Sequence, residues 1–281
     1  SFSAVAEELI AKREKEGVAA ATLEKHRWLL RLLGAEFGRR PVADITPAEL
    51  LHELKKQERR GRLETAKQVR AFASRVFRYA AATARAERDP AQMLLGALIQ
   101  PTVKHFASIT DPIEFGALLR AIDGYVGDPA VMHALKLTPH VFQRPGELRQ
   151  MEWTEIDFAT AVWTLPAAKM KMRQPHAVPL SRQALAILES MRGLSGNGKY
   201  VFPSVRTRAR PISDNTINAA LRRLGYSKEQ MTAHGFRTSA SSLLNECGKW
   251  NPDAIERALA HMVAGSIRRI YNQSAYWTER V

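Results

Sequence analysis

The sequence predicts a mainly α protein in two parts: an all-helical bundle over the first hundred residues, then an α+β domain with a small antiparallel sheet. Three observations lead there. Apolar residues recur at helical spacing up to about residue 98, with glycine or proline at the breaks and no β-prone run between them. Between residues 153 and 180 the pattern changes to short β-branched and aromatic runs separated by turns. After Leu180 helical spacing returns. A chain of 281 residues is long enough to bury two ordinary cores.

In order, helices are expected over 4–16 and 20–37, ending at Gly17 and Gly38, each placed to cap a helix C-terminus. Thr46-Pro47-Ala48-Glu49 is a capping box with proline at the first helical position, so a third helix runs from there towards Gly61. Val69, Phe72, Ala73, Val76, Phe77 and Ala80 then form one buried stripe on a long helix, with Lys67, Arg70, Arg75 and Arg78 on its opposite face. Asp89-Pro90 is expected to stop that helix, and a short one follows to Leu98. Residues 101–110 read as a linker, and Asp111-Pro112-Ile113-Glu114 repeats the capping pattern. The expected domains are therefore 1–103 and 104–281. In the second, helices are expected over 112–122 and 129–142 and strands over 156–158, 161–165 and 177–180. Helices follow over 181–192, 213–224, 235–246, 252–260 and 264–274, with 193–211 as a Gly/Ser/Arg-rich loop.

Composition narrows the function classes. With 45% hydrophobic and 25% charged residues the chain is globular rather than disordered. No apolar run reaches membrane-spanning length and no signal-peptide pattern opens the chain. The single Cys247 excludes an internal disulfide and fits a reducing compartment. Net charge is +14, made of +6 over residues 1–103 and +8 over 104–281, so both parts suit one polyanionic partner. The opening residue is Ser1 rather than Met, as in a processed or cut chain.

Six residues in the second half suit phosphoryl transfer: Arg144, Lys171, His234, Arg237, His261 and Tyr271. Two guanidiniums offer planar forks for the non-bridging oxygens of a phosphodiester. A tyrosine can attack phosphorus and stay bonded to it, and a lysine or histidine can protonate the departing oxygen. Arg144 precedes Pro145, which biases it out of helix, so it caps a helix opening Pro145-Gly146-Glu147. Taken alone it is as readily a salt-bridge partner of Glu147. His234 and Arg237 lie three apart on a helix and can meet one phosphate. His261 stands at a helix C-terminus, where a histidine also serves as an ordinary dipole partner. Alternation in a strand would put Lys169, Lys171 and Arg173 on one face, leaving Lys169 as a competitor of Lys171. Tyr276 competes with Tyr271. His133 and His140 share a helix face without a completing Cys or carboxylate, and no metal site is expected.

The order Arg, Lys, His-x-x-Arg, His, Tyr resembles the tyrosine recombinases of the phage integrase family. Arg144 to Arg149, the run from Met170 to Leu180, Tyr200-Val201-Phe202-Pro203-Ser204 and His234-Gly235-Phe236-Arg237 resemble its satellite-phage and genomic-island subgroup. The resemblance covers essentially the whole chain. It implies the DNA breaking-rejoining fold, with a helical core-DNA-binding domain and a catalytic domain closing on duplex DNA. It implies a site-specific recombinase working through a 3′-phosphotyrosine, with no cofactor, because bond energy is kept in that link. Spacing to Val178-Pro179-Leu180 selects Lys171 in the family pattern. Arg269-Ile270-Tyr271-Asn272 resembles the subgroup's Tyr-Asn-Arg stretch and favours Tyr271 over Tyr276. Candidate DNA contacts are Lys67, Arg70, Arg75, Lys104, Lys169, Arg173 and Thr232, with His176 a further possibility on the hairpin. The implied partners are double-stranded attachment-site DNA, further copies of the chain in a tetramer, and DNA-bending accessory proteins, in the bacterial cytoplasm at the nucleoid. In the subgroup an arm-binding domain precedes the helical domain, whereas residue 1 here already falls in the helices, and the tail after Arg280 is short. The rival readings are a type IB topoisomerase, which rejoins the same strand, and a regulator that binds without cleaving.

Overall fold

A computed structural model describes residues 1–102, 105–170, 172–261 and 276–281. It divides into two compact units, Ser1–Lys104 and His105–Val281. The architecture is the expected one, mainly α with a small antiparallel sheet. Among the described residues no helix is long and apolar enough to cross a membrane.

The first unit is built from α1 (Phe2–Lys15), α2 (Ala20–Phe37), α3 (Pro47–Arg59) and α4 (Leu63–Ala82). The box at Thr46 forms as the sequence requires. Its hydroxyl accepts from the Glu49 amide (3.3 Å), and the Glu49 carboxylate accepts from the Thr46 amide (2.9 Å). The α4 stripe is buried throughout, and Phe2 packs on Phe77 and Phe37 with ring centroids 5.5 and 6.4 Å apart. Gly38 is the C-cap of α2 as expected, though right-handed (φ −54°, ψ −41°), and a Cβ there would lie 2.5 Å from the Gly34 carbonyl oxygen and 2.9 Å from Ser3 Oγ. Two expectations are corrected. The long helix ends at Ala82, well before Asp89-Pro90. Thr83 Oγ1 donates back to the Tyr79 carbonyl (2.8 Å) and Ala84 turns left-handed (φ 56°). Asp89 instead accepts from the Ala91 amide (2.9 Å), opening a single 3-10 turn, Gln92–Leu94, where a short helix was expected.

The second unit begins with α5 (Pro112–Asp123), α6 (Pro129–Val141) and α7 (Pro145–Arg149). A three-stranded antiparallel sheet follows, β1 (Ile156–Asp157), β2 (Val162–Leu165) and β3 (His176–Pro179), in that order. Then come α8 (Arg182–Ser195), a ribbon of β4 (Pro203–Ser204) and β5 (Thr207–Pro211), α9 (Thr216–Arg223), α10 (Gly235–Glu246), α11 (Pro252–Ala258) and a last turn, Trp277–Arg280. The helix expected over 264–274 lies outside the described residues. The core gathers around α6, against which α8, α9 and α10 pack, and Trp163, Phe202 and Phe236 are all but fully buried in it. The expected loop over 193–211 is corrected on two counts. Helix α8 continues to Ser195, whose hydroxyl donates to the Val201 carbonyl (2.8 Å), and residues 203–211 pair as the ribbon, closed by the Ile212 amide on the Phe202 carbonyl (2.9 Å).

Candidate active site

Arg144 reaches its place through the turn between α6 and α7. Phe142 caps α6 in the left-handed region (φ 38°), an uncommon conformation for a bulky residue. Buried Gln143 donates to the carbonyls of Val141 (3.1 Å) and Ala258 (2.8 Å), which ties this turn to the end of α11. Arg144 is then extended (φ −61°, ψ 140°) ahead of Pro145, as the proline dictates. Glu147, 5% exposed, accepts from both the Arg144 amide (2.9 Å) and its guanidinium (2.7 Å). The salt bridge weighed on sequence therefore exists. It uses one of the five N–H donors of Arg144 and fixes the direction of the rest.

Arg237 is the centre of the cluster. It sits in the first turn of α10, 3% exposed, and donates to the carbonyls of Phe142 (2.7 Å) and Leu259 (2.5 Å) and to His261 Nε2 (3.0 Å). Burial, then the nearby charge of Arg144, pushes its pKa down to about 10, so it stays cationic at neutral pH. His261 arrives through a left-handed reversal. Helix α11 ends at Ala258 rather than 260, Ala260 takes φ 52°, and the His261 amide donates to the Glu256 carbonyl (2.9 Å), a Schellman turn. Because Nε2 accepts from Arg237, Nδ1 carries the proton and donates to Glu256 Oε2 (2.8 Å). His234 precedes α10, and its pKa is lowered by burial and then by Arg237, Arg144 and His261. Four expected residues, Arg144, His234, Arg237 and His261, are thus brought together from three segments. Lys171 and Tyr271 lie outside the described residues. Tyr276 is left-handed (φ 47°), and its hydroxyl donates to Asp253 Oδ2 at 3.5 Å.

The DNA-contact candidates divide. Lys67 is exposed on α4. Arg75, also exposed, donates to His26 Nε2 (3.1 Å), and half-buried Arg70 donates to the Ala91 carbonyl (3.1 Å). Arg173 is exposed and left-handed (φ 52°), while Lys104 lies outside the described residues. Two candidates are engaged within the protein. Lys169 is not on a strand but in a 3-10 turn, Ala167–Lys169, and its ammonium donates to the Gln150 carbonyl (2.7 Å), Glu152 (2.7 Å) and Glu155, which uses all three of its donors. Thr232 donates its hydroxyl proton to the Ala107 carbonyl (3.1 Å) and accepts from the Gly235 amide (3.0 Å), so its hydroxyl is committed inside the protein. His176 also faces inward. Its register opposite Leu165 places it on the core side of β3, 9% exposed, where Nε2 donates to the Ala258 carbonyl at 3.3 Å.

Sequence reasoning named Glu147 but missed Glu256 and Gln143, which also hold the cluster, and the arginines of the ribbon. Arg206, Arg208 and Arg210 recur at alternate positions and are all exposed. The Arg-x-Arg-x-Arg spacing was the available signal. His133 donates to the Pro129 carbonyl (2.7 Å), and His140 has its pKa lowered by burial. Among the described residues no three His, Cys, Asp or Glu side chains come together as a metal-ligand set.

Comparison with known proteins identifies the family of the chain. The chain is similar to the integrase of Enterobacteria phage P4, at 32% identity over 96% of this chain and 64% of that protein. It is also similar to the prophage integrase IntZ of Escherichia coli K12, at 40% identity over 86% of this chain and 59% of that protein. It therefore spans about three fifths of these curated relatives. Among solved structures, a lambda integrase (residues 75–356) dimer bound to a COC′ core site superposes with a TM-score of 0.71 at 20% identity, covering 92% of this chain and 94% of that one. The Tn1549 transposon integrase in complex with circular intermediate DNA gives 0.70 at 14% identity, covering 100% and 98%. These two likenesses establish a shared fold. Residues 2–97 match the phage integrase central domain and residues 117–277 the phage integrase family, a span that holds all six expected residues, so the chain belongs to the phage integrase family.

Proposed function

We propose that the protein is a site-specific DNA recombinase that cuts and rejoins double-stranded attachment sites to integrate or excise a mobile element. The observation that carries this reading is the convergence of Arg144, His234, Arg237 and His261 within the second unit. In this reading residues 1–103 bind the core DNA and residues 104–281 carry the chemistry. Arg144 and Arg237 hold the non-bridging oxygens and stabilise the charge that develops on the transferring group. His234, neutral at pH 7 because its pKa is lowered, offers one N–H to the same oxygens. His261 orients Arg237 and is itself held by Glu256. Tyr271 attacks phosphorus, its phenolic proton passing to solvent. Lys171 protonates the departing 5′ oxygen as the P–O5′ bond breaks, leaving a 3′-phosphotyrosine and a free 5′ hydroxyl. A 5′ hydroxyl from another strand reverses the step. The P4 and IntZ integrases support the reading by similarity, and a lambda integrase tetramer bound to a Holliday junction supports a tetramer on two duplexes. DNA-bending proteins and a nucleoid setting belong to the same proposal.

The test is a suicide duplex nicked beside the cleavage site. The wild type traps a covalent adduct, Tyr271→Phe binds the duplex and traps none, and peptide mapping places phosphotyrosine at 271. Mapping to 276 moves the nucleophile and leaves the reaction class standing. Absence of any adduct favours the non-cleaving regulator. Supercoil relaxation without exchange between two sites favours the topoisomerase.

A further inference from the structure

We infer that Phe106 is a positioning residue for His234, held over the imidazole by a strap of chain locked beneath the start of α10. The two rings lie 4.6 Å apart, centroid to centroid, with 45° between their planes. Phe106 is 61% exposed, so its ring covers the imidazole while contributing little to the core. Its backbone neighbour is fixed with unusual redundancy. The Ala107 carbonyl accepts from the Thr232 amide (3.1 Å) and from the Thr232 hydroxyl (3.1 Å), and that hydroxyl accepts from the Gly235 amide (3.0 Å). One carbonyl of the strap is thereby joined through one hydroxyl to the first amide of the helix that bears Arg237. Gly235 completes the lock. A Cβ there would stand 2.1 Å from the Ala107 oxygen, so its hydrogen side chain answers to the strap rather than to any backbone angle. Three residues beyond Phe106, Ile109 is buried in the core and anchors the segment's other end.

The chemistry of the pair follows from geometry. An imidazole just ahead of a helix can turn about its side-chain bonds unless something packs against it. An aromatic ring at this distance limits that rotation and keeps water off one face. The other groups that act on His234 are Arg237 on the same helix, Arg144 at the head of α7 and His261 after α11, and all three disfavour its protonation. They remain when Phe106 is removed, so the variant isolates the contribution of the tilted ring. Loss of that cover raises the pKa of His234 towards its ordinary value and frees the ring to leave the direction of the phosphate.

This inference rests on His234 as a phosphate ligand, and the experiment separates the two. Phe106→Ala, Phe106→Tyr and His234→Gln are compared with the wild type in the full chain. The readouts are duplex affinity, adduct formation on the nicked duplex, and the C2-proton NMR titration of His234, assigned by its loss in His234→Gln. Phe106→Ala should slow adduct formation about five- to tenfold, the range one aromatic contact supports. It should leave affinity unchanged and shift the His234 titration upward, and Phe106→Tyr should restore both rate and titration. Slow cleavage in His234→Gln with a normal rate and titration in Phe106→Ala overturns the positioning role and leaves the phosphate-ligand reading intact. Normal cleavage in His234→Gln overturns that reading instead. Affinity and rate falling together in Phe106→Ala also overturn the inference, because Phe106 then contacts the duplex itself.

Discussion

Replacing Lys169 by methionine separates a DNA contact from an internal strut. In the structure its side chain is 19% exposed, Glu152 is 18% and Glu155 8%, and the ammonium bridges both carboxylates and the Gln150 carbonyl. Removing one partner of a buried ion pair costs about 3–5 kcal/mol, because it strands the other charge. Partial exposure and the apolar packing that methionine regains reduce this to roughly 2–4 kcal/mol for Lys169→Met. A pH arm carries the sign. Partial burial opposes ionisation of Glu152, but Lys169 and Lys199 outweigh it, so its folded pKa lies below the ordinary value. A depressed carboxyl contributes stability above its unfolded pKa, about 4.3, and loses it as pH falls through the folded value. Without Lys169 that contribution is lost, so wild type and variant differ most at neutral pH and converge as pH falls through the folded pKa of Glu152. Urea unfolding of the whole chain along a pH series falling from 7, followed by tryptophan fluorescence, measures both arms. An unchanged unfolding midpoint together with weaker duplex binding would refute the strut and return Lys169 to the DNA face.

Two further outcomes are expected. His176, with a folded pKa of about 4 set by burial and then by Arg280, refuses the proton that the unfolded chain accepts near pH 6.5. Stability should therefore fall by about 3 kcal/mol between pH 6.5 and 4, and His176→Gln, which keeps a donor for the Ala258 carbonyl, should flatten that slope in denaturant titrations. Changing Arg206, Arg208 and Arg210 together to alanine should lower the slope of log affinity against log salt by about 2–3, near 0.9 for each phosphate no longer neutralised, with unfolding unaffected. An unchanged slope removes the ribbon from the DNA surface.

Periodicity and capping made the helices legible, because α3, α5 and the α4 stripe depend on local chemistry that side chains announce themselves. Their ends were less so. The stop at Ala82 comes from a hydroxyl folding back on its own helix and a left-handed alanine, neither of which composition signals. The ribbon hid because its strands are arginine- and proline-rich and owe their pairing to the Phe202–Ile212 closure. At the site, Arg144, His234, Arg237 and His261 could be named from spacing and resemblance, whereas of the residues that hold them only Glu147 could. Gln143 and Glu256 meet their partners across long stretches of chain or through a reversal, and Lys169 was misplaced because alternation assumes a strand where the chain makes a 3-10 turn.

The three acceptors of Arg237 have a consequence for reading other chains. Two of them are backbone carbonyls, one on left-handed Phe142 and one on Leu259, which precedes left-handed Ala260. These reversals store backbone strain, and the guanidinium is the bolt that keeps them closed. A descendant that no longer cut DNA would still need this bolt to stand. Selection for the fold alone would therefore preserve Arg237 after selection for cleavage had lapsed. Finding this arginine in a related sequence is evidence of architecture first. The diagnostic of a living enzyme is the covalent adduct trapped on a nicked duplex.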